Sequence, residues 1–91
     1  MELINIICNK KLLLKEFLEN KIVLNCKTID DARYLFSNIK DLSEKRKKDF
    51  INYWYEYREK TCYEHYDNNY YFCSRKYFRE YTPKEIKEWK K

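Results

Sequence analysis

Few side chains in this 91-residue chain could do covalent or metal chemistry: Cys8, Cys26, Cys62, Cys73 and one histidine, His65. Thiols and imidazole are ligands of tetrahedral zinc, and a thiol beside an imidazole is a nucleophile with its base. The spacing favours neither use. There is no CxxC pair, so the cysteines read as small buried hydrophobes rather than a zinc module. Cys62 and His65 lie three residues apart, which on a strand places them on opposite faces, out of reach of each other. Without a single Gly there is no glycine-rich phosphate loop. We therefore expect no catalysis, no bound metal and no cofactor.

Charge and aromatic surface remain. Thirteen of the seventeen aromatic residues fall between Phe50 and Tyr81, interleaved with Arg58, Lys60, Arg75, Lys76 and Arg79. A second basic run, Lys45 to Lys48, precedes them. Cations can hold phosphates while Tyr or Trp faces stack on bases at roughly 1–3 kcal/mol per base. The candidate contact residues are Arg46, Lys47, Lys48, Trp54, Tyr63, Tyr70, Arg75, Lys76 and Arg79. Lys and Arg outnumber Asp and Glu by 20 to 15, which tilts the partner towards nucleic acid or a nucleotide. Yet Lys, Asn, Ile, Tyr and Phe make up 46 of 91 residues, as an AT-rich genome would write, so part of that tilt is codon usage.

Secondary structure must place these groups. MELINIIC suits a short strand or a lead-in. From Lys10 to Glu19, Leu13, Leu14, Phe17 and Leu18 recur at helical spacing, with Asn9 able to cap the start and Asn20 able to take the left-handed stop. KIVLNCK, residues 21–27, alternates as a half-buried strand. Thr28 can cap a helix whose stripe is Ile29, Ala32, Leu35, Phe36, Ile39 and Leu42. Ser43 can cap another through Phe50, Ile51, Trp54, Tyr55 and Arg58, although residues 52–57 carry enough β-favouring rings to be a strand. TCYEHY and YYFCS flank Asp67-Asn68-Asn69 and predict a β-hairpin. A turn at Asp67-Asn68 sets Cys62 opposite Cys73, and a turn at Asn68-Asn69 shifts the pairs by two. Thr82-Pro83-Lys84-Glu85 predicts a last helix with Ile86 and Trp89.

One α+β domain spanning residues 1–91 follows, with helices packed on one face of a small, mostly antiparallel sheet from residues 21–27, 61–66 and 70–74. No apolar run approaches the roughly 20 residues of a membrane span. Nor is there a charged n-region followed by an apolar run. We expect a cytoplasmic protein with free thiols and no membrane partner, its oligomeric state left open.

The succession KIVLNCKTIDDARYLFSNI, an aromatic segment with Trp54, then TCYEHY, YYFCSRKYF and EIKEW resembles small uncharacterised phage and prophage proteins of low-GC Gram-positive bacteria. The likeness covers residues 21 to 89, and the chain departs from it with Thr82-Pro83 where a Gly is usual. It implies no catalytic residues. By analogy with anti-CRISPR proteins, it implies stoichiometric inhibition of a host defence effector complex or its nucleic acid. The alternatives are a sponge for a cyclic nucleotide immune signal and a small nucleic-acid-binding phage protein.

Overall fold

The computed structural model describes residues 2–81 and 83–91, and for residues 2–8 and Tyr81 the backbone alone. Helix α1 (Glu2–Leu18) runs back through Asn9, expected to cap its start, and through the segment read from sequence as a short strand or a lead-in. It ends where Asn20 adopts φ 66°. The Asn20 N–H donates to the Phe17 carbonyl and the Lys21 N–H to Glu16, the paired closure of a Schellman motif made with Asn in place of Gly. Strand β1 (Ile22–Asn25) follows at once and is buried along its length.

The Thr28 hydroxyl accepts from the Asp31 N–H and starts α2 (Ile29–Ser37). The helix stops before its apolar stripe does, and Ile39 and Leu42 enter the core from the connecting turn. The Ser43 hydroxyl caps α3 (Glu44–Tyr57), so residues 52–57 are helical. Arg58 at φ 53° ends it, and a 3-10 turn over Arg58–Lys60 hands the chain to β2 (Thr61–Tyr66). Asp67 and Asn68 both have positive φ, the two-residue type I′ turn whose twist suits a hairpin. It returns the chain into β3 (Asn69–Ser74) with Cys62 opposite Cys73 and Tyr63 opposite Phe72.

The last quarter differs from expectation. Residues 75–81, assigned no element from sequence, form α4 (Arg75–Tyr81), where the Ser74 hydroxyl accepts from the Tyr77 N–H. The expected closing helix is instead strand β4 (Glu85–Glu88), parallel to β1. The capping role given to Thr82 lies outside the described residues. Tertiary pairing overrides the local helix signal here. The open side of β1 needs a hydrogen-bonding partner, and the segment has only Ile86 and Trp89 to bury. As a strand it sends Ile86 to one face of the sheet and Trp89 to the other core, while the Trp89 N–H donates to the Asn25 carbonyl. Lys84 fastens its start to Glu64 and Asn20, and the Asp31 carboxylate accepts from the Lys91 N–H.

Among the described residues four strands form one mixed sheet in the order β3-β2-β1-β4, with two antiparallel pairings and one parallel. The architecture is α+β. Ile22, Leu24 and Tyr63 face α1, α2 and α3 through Phe17, Leu35, Phe36 and Phe50. Val23 and Cys62 face the opposite way, where Phe78 of α4 covers them. Helices therefore pack on both faces rather than one, three on the larger core and α4 on the smaller. No helix among the described residues is long and apolar enough to cross a membrane.

Candidate polyanion-binding cleft

Sheet order brings the ends of β1 and β2 together, and the Cys26 N–H donates to the Thr61 carbonyl. The residues just beyond, Lys27 after β1 and Lys60 before β2, thus sit side by side. Helix α4 crosses the sheet beside them and presents Arg75, Lys76 and Arg79. The result is a cleft of about 390 Å³ lined by Lys27, Glu59, Lys60, Arg75, Lys76 and Arg79. Asn25 fixes its floor: buried in β1, its side-chain amide donates to the carbonyls of Glu59 (3.1 Å) and Thr61 (2.9 Å).

Five cations and one carboxylate share this space. Lys27 pairs with Glu88 at 3.3 Å, and both side chains are about half exposed, an arrangement worth little in water. Among the described residues, no carboxylate lies within 4.0 Å of Lys60, Arg75, Lys76 or Arg79. The Arg75 Nε is buried without a hydrogen-bond partner, an uncompensated donor of the kind that a bound anion satisfies. Cys62 lies beneath. Burial pushes its thiol up to about 12, and the opposing pull of Arg75 and Arg79 does not overcome it. A protonated thiol is a poor nucleophile. His65 points to the other face, against Phe17 and Tyr70 with centroids at 6.3 and 4.8 Å, so Cys62 has no imidazole beside it. Among the described residues no three His, Cys, Asp or Glu side chains converge as a metal site would require.

Of the residues singled out from sequence, Arg75, Lys76 and Arg79 come together in this cleft. Arg46, Lys47 and Lys48 lie apart at the start of α3. There Lys47 pairs with Glu44 at 3.5 Å and Arg46 sits 5.7 Å over the Phe50 ring, while Lys47 and Lys48 border a separate depression with Arg33 and Glu44. The three aromatic candidates are structural instead. Tyr63 is fully buried and its hydroxyl donates to the Phe50 carbonyl at 2.7 Å. Tyr70 is buried and donates to Asp41 at 2.9 Å. Trp54 is half-buried against the core, its indole N–H donating to the Cys26 carbonyl at 2.8 Å. Large rings are the most profitable residues to bury, and each polar tip found a partner inside. Among the described residues no aromatic side chain lines the cleft.

Lys27 and Lys60 were missed. The signal was present, because paired strands with ends in register bring their flanking residues together, but it needed the β1–β2 pairing to be read. No family model, curated protein or solved structure matches the chain. The resemblance to phage proteins therefore rests on the quoted residues alone.

Proposed function

We propose that this protein acts by binding, without turnover, and that its ligand is a phosphate-rich polyanion, nucleic acid foremost, held in the cleft between α4 and the ends of β1 and β2. The observation that carries this reading is the convergence of five cations from three separate elements around a single carboxylate. Like charges held this close repel one another, and an anionic ligand relieves that repulsion while releasing its own counterions. With no ring among the described residues that line the cleft, contact is to phosphates and carries little base preference. The same feature weighs against a sponge for a cyclic nucleotide, whose bases would want a stacking face. In a phage setting, such a protein would act as a counter-defence inhibitor by occupying the nucleic acid of a host effector complex.

The test is fluorescence anisotropy of a labelled single strand across a salt series. Five cations less Glu59 correspond to about four phosphates, hence a slope of log K against log salt near −3 and a loss of roughly 50-fold between 50 and 200 mM. Changing Arg75, Lys76 and Arg79 together to Gln should bring the slope to about −1. The same change at Arg46, Lys47 and Lys48 should leave it near the wild-type value. Equal losses from the two triple variants would mean diffuse attraction and would remove the cleft from the account.

A further inference from the structure

The outer strands of the sheet are chemically unlike. β4 reads Glu-Ile-Lys-Glu, three of its four residues charged, the usual protection of an open edge against pairing with another chain. β3 reads Asn-Tyr-Tyr-Phe-Cys-Ser, six residues with no charge and no proline, in a chain where 38% of residues are charged. β3 is bonded to β2 on one side only. Helices α3 and α4 touch it, but they belong to the two faces of the sheet, not to its rim.

The turn decides which backbone groups look outward. In a two-residue hairpin the residues flanking the turn, here Tyr66 and Asn69, exchange both hydrogen bonds, and every second pair repeats this. Glu64 with Tyr71 and Cys62 with Cys73 are then the bonded pairs in the observed register. The N–H and C=O groups of Tyr70, Phe72 and Ser74 point away from β2.

We propose that β3 pairs antiparallel with β3 of a second copy, about a two-fold axis at Tyr71, joining two four-stranded sheets into one. Two conditions restrict the register of such a self-pairing. Opposed residues must lie on the same face of the sheet, and the outward groups must meet one another. Centring on Tyr71 or on Phe72 satisfies both. Side chains select the first: with Tyr71 on the axis the two Tyr71 rings oppose each other as an aromatic pair, whereas centring on Phe72 sets each Tyr71 against the partner's Cys73. Tyr70 then bonds to the partner's Phe72. The two Tyr71 rings, each 46% exposed, meet at a non-hydrogen-bonded position where side chains approach most closely. Because the axis is perpendicular to the sheet, both α4 helices lie on one side of the joined sheet. The pairing does not depend on what the cleft binds.

Sedimentation equilibrium tests it without any ligand. The wild-type protein should sediment at twice its 11.6 kDa chain mass. Tyr71→Lys, which sets two ammonium groups against each other at the axis, should sediment as a monomer with an unchanged circular dichroism spectrum. Tyr71→Cys should form a disulfide-linked dimer on mild oxidation with diamide, and Phe72→Cys should not, because only the former is self-opposed. A wild-type monomer, a Tyr71→Lys dimer, or cross-linking through position 72 in place of 71 would overturn the proposal. So would a monomer that accepts a strand of another protein at this edge.

Discussion

Asn25 offers the sharpest test of how the cleft is held in place. It is 2% exposed, and its amide donates to the carbonyls of Glu59 and Thr61, tying the end of β1 to the turn that carries Glu59 and Lys60. Asn25→Leu keeps the volume and removes both bonds. At about 0.5–1.5 kcal/mol net for each, the cost is roughly 1–3 kcal/mol. It should fall near the low end, because the Thr61 carbonyl still accepts from the Cys26 N–H and the Asn25 Oδ1, buried with no partner, is removed as well. Asn25→Asp is isosteric but chemically opposite: ionised, it aims an acceptor at two carbonyl acceptors in a buried place, a loss of about 3–5 kcal/mol. Protonated, it regains one donor. Its folded-state pKa is thus raised above the unfolded value near 3.9, so its deficit relative to wild type is smallest below about pH 4. The deficit grows by about 1.4 kcal/mol per pH unit until the folded-state pKa is passed. Urea unfolding of the three proteins at pH 4.5 and 7 measures this. A deficit for Asn25→Asp that does not change with pH, or a loss below about 0.5 kcal/mol for Asn25→Leu, would refute the assignment of Asn25 as the tie.

Trp54→Phe keeps most of the ring but deletes the indole donor to Cys26, leaving a carbonyl short of a partner, and should cost about 1–3 kcal/mol in urea unfolding. A loss below about 0.5 kcal/mol would show that the bond contributes nothing. Alkaline pH should unfold the protein early. Burial raises the Cys26 and Cys62 thiols and the Tyr63 and Tyr70 phenols, so stability is intact below the unfolded thiol value near 8.5 and falls towards pH 12, by up to about 1.4 kcal/mol per pH unit for each group titrating. Cys62→Ala should make that fall shallower, and a flat profile from pH 8 to 10.5 would contradict it.

Local signals were legible wherever a residue type does one job. The Thr28 and Ser43 hydroxyls cap the helices they were expected to cap. Asn20, Asp67 and Asn68 take the positive φ that Asn and Asp tolerate best in a glycine-free chain, while Arg58 takes it with no such signal. Tertiary demand was not legible. Nothing in Thr82-Pro83-Lys84-Glu85 announces that β1 lacks a neighbour, and a capping signature without a following apolar stripe is weak evidence against an open sheet edge. The short α4 went unseen for a related reason: among its described side chains Phe78 alone is buried, so there is little periodicity to be read.

The site was legible by charge and illegible by aromaticity. A long basic side chain has little choice but to reach the surface, so Arg75, Lys76 and Arg79 could be trusted to stay near it, although the short helix that groups them was not readable. Tyrosine has a choice. In a small chain without Gly and with a single Ala, the rings must supply much of the apolar area that folding requires, and their hydroxyls reach acceptors such as the Phe50 carbonyl and Asp41. The same excess also explains what stays outside. Tyr66 and Tyr71, on the α4 face of the hairpin, remain about half exposed because they lie towards its turn, whereas α4 starts at the other end of β3, after Ser74, and has only seven residues. A cationic cleft with no ring among its described lining residues and an aromatic rim at Tyr66 and Tyr71 therefore stand on one side of the sheet as separate surfaces. Losing the cations should leave the rim intact, and losing Tyr71 should leave the salt dependence of each cleft intact.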